Sequence, residues 1–342
     1  MIERVERMGS IGLETAIKNK ARQFGYDLCG IIKAEPLPEH IAHLDERVGC
    51  FPESAHLYEG LYENAYPEKT VEWAKSIIVC VRRYGRYKIP AEAVKYIGKY
   101  YLFDHRLEYA KEYSDWQAFE HFLKETGLLI HKSSTAARWA AVKAGLGAFG
   151  NNNFLYTRFG SWVWIDTWIV DKDLDYDEPV KEKVVCPPNC NKCVKACPTK
   201  ALSGPLMMDR GKCIAHLSYY STLPVPEDLR EQLGTWLYGC DVCQEVCPMN
   251  KGKLEESENF PKLDQLAEYL TPERIVEMDE DIFLSVIQPR FSYIGKNGLW
   301  LWKCNALRAM ANSRDEKYQP YILKACDNEN ENVRTMAVWA RN

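Results

Sequence analysis

"CPPNCNKCVKACP", residues 186–198, sets four cysteines within twelve positions and ends on Cys-Pro. The spacing C-x2-C-x3-C-P with one further cysteine ahead is how thiolates hold a cube of four irons and four sulfides. Three residues separate Cys186 from Cys190, one more than in the bacterial ferredoxin run. A second group, "CDVCQEVCP" (240–248), repeats C-x2-C-x3-C-P, and Cys213 stands ahead of it in "DRGKCIAH". The eight thiols match the number that two 4Fe–4S clusters need. A C-x2-C turn lets two thiolates reach neighbouring irons of one cube. The x3 step starts a helix that carries the last cysteine toward the other cube. On this geometry Cys186, Cys190, Cys193 and Cys247 serve one cluster, and Cys197, Cys213, Cys240 and Cys243 the other. Structural zinc on four thiolates is the alternative, but it leaves the matched Cys-Pro endings unexplained.

The totals bound the rest. With 342 residues the chain has room for two or three domains. Hydrophobic content of 46% and charged content of 27% are those of an ordinary globular protein. A net charge of −4 gives no general attraction to nucleic acid or anionic membrane. No apolar run reaches the length of a membrane span, and the charged N-terminus lacks a signal-peptide core. Eight of the thirteen cysteines crowd between 186 and 247, which in a reducing compartment reads as cluster binding, so the cytoplasm is expected. Cys29, Cys50, Cys80, Cys304 and Cys326 are scattered and read as small apolar residues.

Periodicity predicts interleaved helices and strands over 1–180: a helix at 11–26, strands at 28–34 and 74–84, a helix at 107–127, then "LLIHKSS" as a strand. A short alanine-rich helix, "TAARWAAVKAG", follows and stops at Gly145, and a strand is expected over 160–171. The fold class is α+β, with a first domain at 1–180 and a cluster domain at 181–255 after the charged linker 171–183. A helical segment at 256–342 reads either as a HEAT-type tail or as a plain helical cap. A two-cluster wire needs a terminal acceptor in the first domain. No G-x-G-x-x-G follows a strand, and "GLGAFGNNN" (145–153) lacks the Lys-Ser/Thr pair of a P-loop.

The order of parts resembles the epoxyqueuosine reductases. "AGLGAFGNNNFLYTRFGSWVWIDTWIVDKDL" (144–174) is similar to their Gly-Leu-Gly and Gly-Ser-Trp stretch, and "KCIAHLS" and "YGCDVCQEVCPMN" to their cysteine block. "FGYDLCGIIKA" and the terminal "CNALRAMAN…NVRTMAVWA" extend the resemblance over nearly the whole chain. It implies a nitroreductase-like domain holding cobalamin, a ferredoxin-like double 4Fe–4S domain and a HEAT-like tail. It also implies a low-potential donor of the ferredoxin or flavodoxin type. Under it, Gly145, Gly147 and Gly150 let backbone approach the corrin, and Ser161 and Trp162 wall the pocket.

The resemblance breaks on the substrate side. The family's catalytic aspartate aligns with His131 in "HKSSTAAR", its Asp-Tyr-His segment is replaced by "GKYYLFDHR" (98–106), and its lysine after the glycines is Asn151. His131 is therefore the candidate acid, its ordinary pKa lying near working pH. Tyr100, Asp104 and Tyr156 are rivals, with Tyr101 and His105 beside them; tyrosine is attractive because the related reductive dehalogenases use one as proton donor. The favoured expectation is a corrinoid-dependent reductase whose substrate, a small molecule or a tRNA-borne group, is not epoxyqueuosine. Epoxyqueuosine reductase itself and a corrin-free electron carrier are the alternatives. A slight basic excess in the tail, Arg308 and Arg314 included, is the sequence feature that would touch RNA.

Overall fold

A computed structural model describes residues 12–132, 135–179, 185–222 and 224–342. Parts of two expected features, the linker at 180–183 and the "SS" of "HKSSTAAR", lie outside the described residues. The first segment is built on four antiparallel strands in the order β1-β2-β6-β3. They are β1 (Leu28–Lys33), β2 (Ser76–Arg83), β3 (Ile130–Lys132) and β6 (Val163–Val170), with the hairpin β4 (Ala148–Phe149) and β5 (Leu155–Tyr156) between the last two. β2, "SIIVCVRR", reads as an unbroken apolar run because both of its faces are buried. One face packs on α1 (Leu13–Gln23), through Ile17 and Ala21, and on α4 (Lys111–Glu125), through Phe119 and Leu123. α2 (Pro38–Cys50) and the single turn α3 (Lys99–Leu102) lie between these in the chain. The other face carries α5 (Ala137–Lys143), whose Ala140 and Ala141 allow close approach. A Cβ on Gly30 of β1 would meet the Ala144 carbonyl at 2.9 Å, so strand and helix end touch backbone to backbone.

In the cysteine-rich segment, α6 (Lys192–Ala196) and α8 (Val242–Glu245) start within the C-x2-C turns and end where each Cys-Pro begins. Between them lie the hairpin β7 (Leu202–Gly204)–β8 (Met207–Met208) and α7 (Ile214–Tyr219). The tail is α9 (Pro272–Glu277), α10 (Leu299–Ser313), α11 (Gln319–Ala325) and α12 (Glu331–Arg341), with α10 packed on α9 and α12. Asn330 caps α12 by accepting from the Asn332 and Val333 amides at 3.0 and 3.4 Å. One apolar core joins Tyr84, Phe103 and Trp162 of the first segment to Tyr238 and to Phe291 and Trp302 of the tail. Tyr238 stacks on Trp302 with ring centroids 5.3 Å apart. The tail is thus held by the same core that floors the first two segments. No helix among the described residues is long and apolar enough to cross a membrane.

Candidate functional site

None of the eight cysteines of the two groups is in a disulfide; Cys193 and Cys197 are buried and the other six half-buried. Cys186 feels the charge of Cys190 and Cys247, and Cys193 that of Cys186 and Cys247. On the other side Cys240 feels Cys213 and Cys197, and Cys243 feels Cys240 and Cys213, with Cys193 as the nearest thiol of the first set. Burial pushes these thiols up, Cys193 to about 11, so iron charge is needed to hold them as thiolates.

The end of the Gly-rich turn binds both cysteine loops. The Asn151 backbone N–H donates to Cys186 Sγ at 3.2 Å and its side-chain amide to the Cys190 carbonyl at 2.8 Å. Asn152 Nδ2 donates to the Cys243 carbonyl at 2.9 Å and to the Tyr156 hydroxyl at 3.0 Å. Ser161 Oγ donates to Gln244 Oε1 at 2.8 Å and accepts from Asn250 Nδ2 at 2.9 Å.

Between the sheet and the cysteine loops lies a cavity of about 470 Å³. Its lining includes Cys197, Cys213, Cys240 and Cys243, and no cysteine of the other four. Opposite stand Val163 and Ile165 of β6, the start of α5 at Ala137 and Arg138, and Asn152 to Leu155. Tyr100, Tyr101, Tyr219, Tyr220 and Tyr293 rim it, drawn from all three segments. Tyr101 and Tyr219 share a hydroxyl hydrogen bond of 2.9 Å, and Tyr219 stacks on Tyr293 at 5.1 Å. Two buried amide atoms of the lining residues have no partner among the described residues: Asn152 Oδ1 and Asn153 Nδ2. A smaller cavity of about 90 Å³ adjoins through Tyr100, Tyr101 and Tyr293 and is walled by Asp104, His105 and Arg106.

Of the residues singled out from sequence, Tyr100, Tyr101 and Ser161 line the main cavity beside Cys197, Cys213, Cys240 and Cys243. Tyr100 is 38% exposed and lines the smaller cavity as well. His131 does not reach the cavity: it is exposed on the edge strand β3, opposite Ile169, well along β6 from Val163. Asp104 lies on the smaller cavity with both oxygens taken by Arg106, at 2.8 and 2.9 Å. Tyr156 is buried behind the hairpin, its hydroxyl bonded to Asn152 and Cys247. The three glycines are not among the residues lining the main cavity, and two of them pack within the hairpin. A Cβ on Gly147 would sit 2.4 Å from the Tyr156 carbonyl, one on Gly150 2.4 Å from the Tyr156 ring, and Gly145 closes α5 at φ +69°. Trp162 is a core residue beneath Lys99. In the tail, Arg308 is fully buried and donates to the Gly234 and Trp236 carbonyls, so it is not part of a basic surface. Sequence reasoning missed Arg47, Arg138, Arg210 and the amides of Asn152 and Asn153. The arginines are far apart in the chain, and the only local trace was the Asn run after the glycines.

Residues 186–250 match the model of the 4Fe-4S double cluster binding domain. Cluster domain, cavity and mixed helix–sheet fold define an iron–sulfur oxidoreductase. The chain is 30% identical over 282 residues to an epoxyqueuosine reductase of Cellulophaga algicola, covering 80% of this chain and 90% of that one. It is 32% identical over 252 residues to one of Cyclobacterium marinum, covering 69% and 78%. Among solved structures it is similar to the epoxyqueuosine reductase of Bacillus subtilis, with a TM-score of 0.79 at 23% identity over 96% of this chain and 89% of that one. An epoxyqueuosine reductase crystallised with an epoxyqueuosine-modified tRNA-Tyr stem loop aligns with a TM-score of 0.76 at 23% identity over the same shares. This chain belongs to the epoxyqueuosine reductase family.

Proposed function

We propose that the main cavity is the site of a corrinoid-assisted reduction fed by single electrons from two 4Fe–4S clusters. The observation that carries this reading is the joint lining of one cavity by four cluster-type thiols and by the orphaned Asn152 Oδ1 and Asn153 Nδ2. A corrin is rimmed with carboxamides, and one of these amides can donate to Asn152 Oδ1. When bound, a corrinoid supplies the cobalt redox chemistry that side chains lack.

The chain's own residues have separate tasks. Cys197, Cys213, Cys240 and Cys243 would hold the cluster beside the cavity. Cys186, Cys190, Cys193 and Cys247 would hold the outer one, whose Cys186 receives the Asn151 N–H, a bond of the kind that raises cluster potentials. Tyr100 holds the proton for the substrate: its phenol is neutral at working pH, it lines the cavity, and it makes no hydrogen bond to a described residue. The tyrosine rim excludes water. A reducing cytoplasm and a ferredoxin- or flavodoxin-type donor suit such a centre.

The test is retention of hydroxocobalamin by anaerobically reconstituted protein through gel filtration. A corrin absorption spectrum co-eluting with the protein is expected, and its absence would remove the corrinoid from the site. For the substrate, the position aligned with the family's aspartate holds an exposed histidine outside the cavity, which favours a compound other than epoxyqueuosine. Family membership favours epoxyqueuosine borne on tRNA as the second reading. Restoration of queuosine in tRNA of a reductase-deficient strain would decide for that second reading; failure beside a working control decides for the first.

A further inference from the structure

Arg47, Arg138 and Arg210 line the cavity, and each bonds only neutral partners among the described residues. Arg47 Nε donates to the Leu206 carbonyl at 2.9 Å, and its Nη2 donates to the same carbonyl at 2.6 Å and to Asn153 Oδ1 at 2.7 Å. Arg138 Nη1 donates to the Asn153 carbonyl, and Arg138, an exposed residue, lines the cavity. Arg210, across the space, donates to the Leu57 carbonyl at 2.8 Å and to His216 Nδ1 at 3.2 Å. The acids nearby are engaged elsewhere. Asp209 accepts from Ser54 and Gly211, Asp241 from Lys99 and Gln244, and Glu46 is paired with His43.

Two guanidiniums therefore converge on Asn153, the half-buried Arg47 and the exposed Arg138, and neither has a carboxylate partner among the described residues. Burial, with repulsion from the neighbouring guanidiniums adding to it, pushes Arg47 down to about 10 and His40 to about 4. Arg210 lies near Cys213, so a net-anionic cluster there would balance part of its charge. The Arg47–Arg138 pair has no such balance. Asn153 supplies an independent sign of a ligand. It is 5% exposed, its backbone sits in the left-handed region at φ +67°, and Arg47 fixes its Oδ1. Its Nδ2 is left as a buried donor with no partner.

We propose that Arg47, Arg138 and Asn153 Nδ2 form a phosphate subsite in the wall of the cavity. Two guanidiniums and an amide N–H supply donors from three side chains, a set well matched to a phosphate with its several oxygens and higher charge. The inference rests on the cavity being the ligand site of the proposed reductase. The phosphate has two possible sources, the phosphodiester of a corrinoid's nucleotide arm or that of an RNA-borne substrate.

Binding of pyrophosphate, hydroxocobalamin, phosphate-free cobinamide and a stem-loop RNA is measured by calorimetry on reconstituted full-length protein. Wild type is compared with Arg138→Gln and with Asn153→Gly, which keeps the left-handed backbone. Variants are used at wild-type iron content and melting temperature. Pyrophosphate binding that weakens about tenfold or more in both variants is expected, one charge-assisted contact being lost in each. A matching loss for hydroxocobalamin but not cobinamide assigns the phosphate to the corrinoid; a loss for the RNA alone assigns it to the substrate. Arginine-dependent pyrophosphate binding by a protein that retains no corrin would keep the subsite and discard the corrinoid. Absent or variant-independent pyrophosphate binding overturns the subsite even where corrin is retained.

Discussion

Tyr100 and His40 show how position in the fold sets the chemistry of a side chain. Tyr100 meets the cavity from the single helical turn α3, and a Cβ on Gly98 just before it would meet the Cys240 backbone nitrogen at 3.1 Å. If it is the proton donor, Tyr100→Phe lowers single-turnover reduction by about 10²-fold. Corrin binding and cluster spectra should be unchanged; equal turnover in a dithionite-reduced sample would remove it from the role. His40 is 9% exposed, and burial, with Arg47 and Arg138 adding to it, lowers its pKa to about 4. Between pH 6.5 and 4 the unfolded chain binds the proton and the folded chain does not. The stability His40 contributes is therefore complete above pH 6.5 and lost as pH falls toward 4, roughly 2 kcal/mol of it by pH 5. His40→Gln should shrink the difference in urea stability between pH 7 and pH 5 by about that amount.

Among the elements, α10 does more than pack. Asn305 Nδ2 donates to the Ser218 and Leu237 carbonyls at 2.8 and 3.0 Å, and Asn312 Nδ2 to the Arg230 and Gly234 carbonyls at 2.8 Å each. With Arg308 they form one polar face at helical spacing that reads the backbone leading to Cys240. Asn305→Leu leaves two buried carbonyls without donors and should cost about 2 kcal/mol. Iron per chain should fall toward half if the loops bearing Cys213 and Cys240 loosen; unchanged iron would confine α10 to a packing role. The elements themselves were largely legible. β1, β2, β6 and α5 fall where β-branched runs and alanine spacing put them, because local pattern and burial agree there. Among the described residues of "LLIHKSS", Ile130–Lys132 pair with β6 and Leu128 and Leu129 lie before the strand. The ligand wall was not legible. Arg47, Arg138 and Asn153 meet only through long-range packing, and the glycines drew attention to the turn whose asparagines face the ligand.

At the scale of the molecule, the three runs of sequence share one core and one cavity. The cysteine block was read from spacing alone, because a cubane imposes ligand geometry on the chain over short distances. Full reconstitution should give about eight irons per chain. Stripping them with a chelator should lower the melting temperature in one cooperative step rather than release a separate domain, since the first segment bonds directly to the cluster loops through Asn151, Asn152 and Ser161. Two transitions in calorimetry would contradict this.

The rim of tyrosines has a bearing on how the protein is made. Tyr100, Tyr219 and Tyr293 come from the beginning, middle and end of the chain. On the ribosome the sheet and both cysteine groups emerge while the last wall is still to be translated. A chain halted before Tyr293 would have every cluster ligand and an open trough, so cofactor loading before synthesis is complete would leave reactive metal in contact with solvent. Completion of the rim links cofactor retention to completion of the polypeptide.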